Sequence, residues 1–166
     1  KKNHQWKHVE NHLARYALVE LENLHDDSQQ FEPIHRVIRG TDVQELIEAM
    51  KEQCCGENGQ EIRCYYGNKE EVLHLNLHEH QLAVDKVQIF LDEYLKENSG
   101  VIDYIHGEDV LRKLASQENA VGIELPAMEK DKLFPSVMTD GTLPRKTFSM
   151  GHASEKRYYI EGRAIK

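Results

Sequence analysis

A strand followed by the start of a helix is predicted by residues 33–41, PIHRVIRGT. Pro33 disfavours helical backbone in the residue before it, so the chain enters this segment in an extended conformation, and Gly40 ends the strand. Thr41 and Gln44 have the spacing of a capping box at the N-terminus of a helix. Apolar residues then recur at helical spacing from position 43 to position 50, and the helix is expected to end at the break of residues 56–59, GENG.

The same patterns continue on both sides of this segment. Alternating apolar residues at 62–66 and 73–77 predict a β-hairpin, residues 84–95 an amphipathic helix, and residues 101–105 a strand. The resulting order β-α-β-β-α-β is the ferredoxin-like order of elements. A helix and strand extension towards the C-terminus completes the predicted α+β fold on a mixed sheet, and residues 16–21 predict a further central strand.

The length and composition indicate one globular domain. The chain has 166 residues, and 21 Lys and Arg against 29 Asp and Glu give it a net charge of −8. Because the chain starts at Lys1 without an initiator methionine, we interpret it as a fragment, with residues 1–13 as a poorly ordered N-terminal edge and 14–166 as a single domain.

Several classes of protein are disfavoured by the same composition. No apolar run reaches the roughly 20 residues of a membrane helix, so no membrane contact is expected. The acidic total and the lack of a basic stripe argue against nucleic-acid binding, although residues 156–159, KRYY, combine cations with aromatic rings. Three cysteines without CxxC spacing fit reduced thiols, and therefore a cytoplasmic location.

The C-terminal end of the chain reverses this charge. Residues 145–166 hold six Lys and Arg and two Asp and Glu, a balance of +4. A phosphate or carboxylate is bound by cations, hydroxyls and closely approaching backbone, and one short segment supplies all three. It predicts an anion site, with a solvated turn and strand as the alternative. The predicted contacts are Arg145, Lys146, Thr147, Ser149 and Gly151.

A second polar group follows the first predicted strands. His25 and Asp26 come directly after one strand, and His35 and Arg36 lie one segment later. If the strand ends converge, these residues form a cluster that meets an anionic substrate, in which a histidine oriented by an aspartate moves a proton. The alternative is a hydrogen-bonded loop.

The ten histidines do not predict a metal site. His4, His8 and His12 would share one face of a helix, as zinc ligands do, but they lie at the end of the chain, where fraying is common. His78 and His80 have the wrong spacing for one helical face, and the HExxH motif is absent. Cys64, on an alternating strand, is expected in the core rather than as a nucleophile.

Several segments together resemble a known family. They are residues 14–21, 23–26, 31–37, 143–151 and 156–159. From about Ala14 to Ile165 the chain resembles the C-terminal part of the bacterial and archaeal domain-of-unknown-function family numbered 1015. The resemblance implies no established activity. It does imply an upstream Asp-Gly-His-His-Arg segment, similar to the phosphate-handling signature of ParB-like and sulfiredoxin-like proteins, which is not present in this chain.

Two hypotheses of different classes follow. In the first, the domain contributes an anion-contacting surface to a larger phosphate-handling protein that binds a nucleotide or another phosphorylated small molecule, with the upstream half of that protein as partner. Arg145 would hold the anion in bidentate fashion, and Lys146 would offset its charge. In the second, the domain is a noncatalytic packing or oligomerisation module, whose basic C-terminal strand pairs with the acidic surface of a neighbouring chain, as in a homodimer. The sequence names neither a reaction nor a cofactor.

Overall fold

The computed structural model describes residues 23, 24, 26 and 30–150. The predicted strand at 16–21 and the segments 1–13 and 156–159 therefore lie outside the described residues. Within them, no helix is both long enough and apolar enough to cross a membrane. The strands are β1 (Phe31–Arg39), β2 (Cys55–Tyr66), β3 (Lys69–Leu75), β4 (Val101–His106), β5 (Ala120–Glu124) and β6 (Phe148–Met150). The helices are α1 (Val43–Cys54), α2 (Ala83–Glu97), α3 (Glu108–Ala115) and α4 (Leu133–Asp140), with a 3-10 turn at Lys130–Lys132.

The described strands form one antiparallel sheet. Its order is β3-β2-β5-β1-β4, and β6 pairs with the first residues of β1. The mixed α+β class is confirmed, as are most predicted elements. The ferredoxin-like arrangement is not confirmed, because β5 lies between β1 and β2 instead of extending the sheet at its periphery. The pairings described are all antiparallel, whereas a mixed sheet was predicted.

Helix α1 begins one residue later than the capping box predicts. Asp42 is its N-cap, and the Asp42 side chain accepts hydrogen bonds from the backbone N–H groups of Gln44 and Glu45. The helix also ends early, at Cys54, and residues 56–59 belong to an irregular part of β2. Gly59 is needed there because a Cβ atom would lie 1.9 Å from the carbonyl oxygen of Leu75. The predicted helix break is thus a strand irregularity at which two backbones meet.

Apolar side chains cover both faces of the sheet. Ile38 packs with α1 and α2 in the larger core, whereas its neighbour Val37 packs with α3 in the smaller one. Successive residues of a strand point to opposite faces, so β1 contributes to both cores. The polar residues of β1 also alternate between the two faces, so only those on the same face can contact each other.

Candidate functional site

The predicted anion segment forms a turn ahead of β6. The hydroxyl group of Thr147 donates a 2.7 Å hydrogen bond to the carbonyl oxygen of Pro144 and so closes the turn. Lys146 has a φ of 58°, the left-handed conformation that non-glycine residues rarely adopt. The side chains of Arg145 and Lys146 are exposed to solvent. We call residues 144–147 the cationic turn.

The guanidinium of Arg36 lies beneath the cationic turn and is fully buried. It donates to the carbonyl oxygens of Lys146 (3.0 Å) and Arg145 (3.2 Å). It also donates to the carbonyl oxygen of Ile34 and, across 3.2 Å, to Oε1 of Gln88. Burial lowers the pKa of Arg36 to about 10, and the nearby charge of Arg145 acts in the same direction. Arg36 is therefore still charged at neutral pH, and it fixes the backbone of the turn.

Helix α2 and strand β4 support the same turn. The ring of Tyr104 lies 5.0 Å from Cζ of Arg36 and 5.4 Å from Cζ of Arg145, within the range of cation–π contact. Gln88 donates a 2.9 Å hydrogen bond to Oδ1 of Asp92, and the same oxygen lies 3.8 Å from a terminal nitrogen of Arg145. Both members of this ion pair are at least half exposed, so it holds Arg145 only weakly.

The predicted anion contacts therefore differ in their positions. Arg145 and Lys146 can reach an external ligand, because their side chains are exposed. Thr147 and Ser149 are buried, and the hydroxyl group of Thr147 is engaged within the turn. Arg36 supports the turn from below, and its hydrogen bonds to the protein leave it little capacity for an external anion. Two further predicted contacts, Gly151 and His25, lie outside the described residues.

The structure does not bring His35 and Arg36 together. They are neighbours on β1 and face opposite sides of the sheet, as strand alternation requires. His35 is buried, and its Nδ1 accepts a 3.1 Å hydrogen bond from the backbone N–H of Leu125. Burial lowers the pKa of His35, which favours the neutral ring. The carbonyl oxygen of Asp26 accepts a hydrogen bond from Nζ of Lys130, so Asp26 lies near the 3-10 turn.

A second polar cluster occupies the face of the sheet that carries α3. The guanidinium of Arg112 lies 4.1 Å from the ring centre of Tyr65 and donates a 2.7 Å hydrogen bond to its hydroxyl group. Tyr65 donates in turn to Glu124, and Arg112 is ion-paired with Glu108. Burial and the bond to Glu124 raise the pKa of Tyr65, so the phenol stays protonated. The polar groups of this cluster are hydrogen-bonded or ion-paired with one another, and none of them is an activated nucleophile.

The described part of the chain contains neither a metal-binding group of side chains nor an activated thiol. No group of three His, Cys, Asp or Glu side chains is placed there to hold a metal ion. The cysteines of the described residues are free thiols, as expected for reduced cysteines. Burial raises the pKa of Cys54 to about 11 and that of Cys64 to about 12, so neither is a thiolate at neutral pH.

Sequence reasoning missed three residues that support the cationic turn through contacts to Arg36 or Arg145: Gln88, Asp92 and Tyr104. Gln88 and Asp92 were detectable as a polar i, i+4 pair on the amphipathic helix α2. Tyr104 lies opposite Arg36 in the pairing of β1 with β4, and this register cannot be read from either strand alone.

The sequence profile of one family, described as "Protein of unknown function (DUF1015)", matches residues 1–99. This range is more than half of the chain. The chain belongs to the DUF1015 family. The matched range contains β1 to α2, and therefore Arg36 and Gln88, but it ends before the cationic turn. The resemblance described from the sequence was expected to extend further, to about Ile165. No curated protein and no solved structure matches this DUF1015 chain.

Proposed function

We propose that the cationic turn of this DUF1015 domain contacts a phosphate-type anion as part of a larger phosphate-handling protein. The observation that carries the proposal is the position of Arg36. Its buried guanidinium donates to the carbonyl oxygens of both Arg145 and Lys146, the two residues whose cationic side chains are exposed above it. A buried charged side chain therefore holds the backbone of one solvent-exposed turn.

A fixed turn lowers the cost of binding. Ordering a flexible loop around a ligand opposes association, and that cost is smaller when the fold already holds the backbone. Arg145 would offer its planar fork to two oxygens of the anion, and Lys146 would add a point charge beside it. Asp92 is the competing partner of Arg145, but an exposed pair at 3.8 Å is readily exchanged for a phosphate.

The other predicted contacts have separate roles in this proposal. Thr147 and Ser149 are buried behind the exposed cations, and Thr147 closes the turn, while Gly151 and His25 remain predicted contacts. The ligand is a nucleotide or another phosphorylated small molecule, and the upstream half of the parent protein supplies the rest of its site. A cytoplasmic setting, where such compounds are abundant, belongs to the same proposal.

Calorimetric titration of the full-length parent protein with inorganic phosphate and with ATP tests the proposal. We expect saturable binding that the double variant Arg145→Ala/Lys146→Ala weakens by at least about 100-fold, since it removes two charged contacts and each charged hydrogen bond is worth roughly 1.5–3 kcal/mol. The control Lys113→Ala/Lys132→Ala removes the same charge from exposed positions elsewhere and should bind like the parent. Absence of binding, or equal affinity in both double variants, contradicts the proposal.

The second candidate function is a noncatalytic packing or oligomerisation module. It would use the same cations, with the acidic surface of a neighbouring chain in place of the small anion. Size-exclusion chromatography at low and high salt separates the two candidates. A dimer that dissociates in high salt and binds neither phosphate nor ATP favours the module, because screening weakens exposed ion pairs.

A further inference from the structure

An open cavity of about 330 Å³ lies between α2 and the segment that follows α4. It is separate from the exposed cations of the cationic turn, although Pro144 and Asp92 line its rim. The charged residues that line the cavity are mainly aspartates, whereas the exposed charges of the cationic turn are positive. The lining residues used below are Asp85, Ile89 and Asp92 of α2, Asp140 at the end of α4, and His78.

Asp85 is the unusual member of this lining. The residue is 9% exposed, and its Oδ2 has no hydrogen-bond partner among the described residues. A buried carboxylate oxygen without a partner is rare in native proteins and calls for an explanation. Burial raises the pKa of Asp85, the charge of Asp140 raises it further, and His78 acts in the opposite direction. Because Asp85 lines the cavity, a cation bound there would lie beside its carboxylate group.

Asp140 and His78 complete this end of the cavity. Nε2 of His78 lies 3.5 Å from Oδ1 of Asp140, a loose contact in which the His78 side chain is half exposed. Two carboxylates and one imidazole do not make a metal site here, since no group of metal-ligating side chains is placed to hold an ion in the described part of the chain. An organic ammonium group, which needs hydrogen-bond acceptors without strict coordination geometry, fits this end better.

The spacing along α2 adds a second acidic point. Asp85 and Asp92 both line the cavity and are seven residues apart, which is two helical turns or about 10 Å along the axis. Between them on the same lining is Ile89, whose side chain is 60% exposed. Along α2, the cavity is therefore lined by an aspartate at each end and by an apolar side chain between them. Gln88 also lies between the two aspartates and donates to Asp92.

We propose that this cavity binds a linear aliphatic diamine or polyamine. One ammonium group lies between Asp85 and Asp140, the methylene chain packs on Ile89, and the second ammonium group approaches Asp92. The Asp92 carboxylate can accept further hydrogen bonds while it keeps that from Gln88, because a carboxylate offers about four acceptor positions. This inference does not rest on the proposed function of the cationic turn, which concerns an anion; Asp92, the exposed partner of Arg145, is the one side chain that both proposals use.

Calorimetric titration of the 166-residue chain with 1,5-diaminopentane and with spermidine tests this inference. At about pH 8 these amines are protonated. We expect saturable binding that Asp85→Asn or Asp140→Asn weakens about tenfold or more, the loss typical of one charge-assisted hydrogen bond. Asp92→Asn should weaken the diamine but leave n-butylamine, which has a single ammonium group, unaffected. Circular dichroism establishes that each variant is folded.

The matched control is Glu48→Gln, which removes one negative charge from an exposed position of α1. It should bind both amines like the unchanged chain. Three results would overturn the inference: no saturable binding, a loss in Glu48→Gln equal to that in Asp85→Asn, or binding of magnesium chloride with the same dependence on Asp85. Absence of saturable binding would mean that there is no amine site. An equal loss in Glu48→Gln would indicate nonspecific attraction to an acidic protein, and Asp85-dependent binding of magnesium would assign the cavity to a metal ion.

Discussion

The buried guanidinium of Arg36 donates a 3.0 Å hydrogen bond to the backbone carbonyl oxygen of Lys146, a residue 110 positions away in the chain. Strand β1, which lies between β5 and β4 in the sheet, thereby determines the shape of an exposed turn near the other end of the described chain. The first prediction follows from this contact.

Replacing Arg36 with methionine should lower the free energy of unfolding by about 2–4 kcal/mol, because it leaves several buried acceptors without donors. Replacing it with lysine should recover only part of this loss, since an ammonium group cannot reproduce the fork. Urea denaturation measures both effects. Limited proteolysis with trypsin gives a local readout: cleavage after Arg145 or Lys146 should become faster in the methionine variant.

Arg39→Met is the matched control for this prediction. Arg39 lies on the same strand but on the other face, where it forms an exposed 2.8 Å ion pair with Asp103. Its loss should cost no more than about 1 kcal/mol and leave the trypsin sites protected. Equal destabilisation by the two substitutions would show that Arg36 has no special role in holding the turn.

The second prediction concerns the pH dependence of stability at Asp85. Its pKa is raised above the ordinary value of 3.8, so the folded state favours the protonated acid. Its stabilising contribution is complete below that ordinary value and is lost as the pH rises through the raised folded pKa. Asp85→Asn should therefore be more stable than the unchanged chain above this window, by roughly 1 kcal/mol, and similar to it below.

Urea denaturation of both proteins across the acidic range checks this sign, because the difference between them cancels the contributions of other groups. Asp131→Asn removes a carboxylate from an exposed position and is the control for the substitution itself. A variant at Asp85 that loses stability as the pH rises, relative to the unchanged chain, would contradict the assignment of an unsatisfied buried carboxylate.

The third prediction concerns the start of α1. Asp42→Ala should cost about 1 kcal/mol, the usual loss for an N-cap whose side chain accepts from the backbone of the first turn. Gln44→Ala should cost less than about 0.5 kcal/mol, because only its backbone N–H takes part in the cap. The two free energies of unfolding distinguish the observed cap from the capping box predicted at Thr41 and Gln44; a larger loss at Gln44 would favour the box.

The fourth prediction concerns thiol reactivity. At about pH 8, a pKa of about 11 leaves roughly one part in a thousand of Cys54 as the reactive thiolate, and Cys64, with a pKa of about 12, has still less. In the native protein, a thiol reagent should therefore modify the half-buried Cys55 first. Modification should accelerate as the pH rises, and Cys55→Ser should remove the fastest phase. Rapid native modification of Cys64 would contradict its placement in the core.

Local patterns were sufficient to predict most of the helices and strands. Leu46, Ile47 and Met50 all face the larger core, as their helical spacing indicates, and the hairpin of β2 and β3 turns after Tyr66 as predicted. These predictions succeeded because hydrophobic periodicity and turn chemistry act between near neighbours. The helix end predicted at residues 56–59 was wrong, because Gly59 serves there a close backbone approach between β2 and β3 and not a helix stop.

The candidate site was only partly predictable for the opposite reason. Composition alone pointed to Arg145 and Lys146, since a cluster of cations in an acidic chain is visible in the sequence. The role of Arg36, the separation of His35 from it and the unpartnered Asp85 carboxylate depend on which strand pairs with which, and on what α2 covers.

The sequence by itself therefore determined the α+β class, the order of elements along the chain and the cationic character of its C-terminal segment. The tertiary structure alone decided that β5 lies between β1 and β2, that Arg36 and His35 face opposite sides of the sheet, and that three aspartates line one open cavity. The physical reason is range: periodicity is a property of adjacent residues, whereas strand order, burial and unsatisfied charges arise from contacts between residues far apart in the chain.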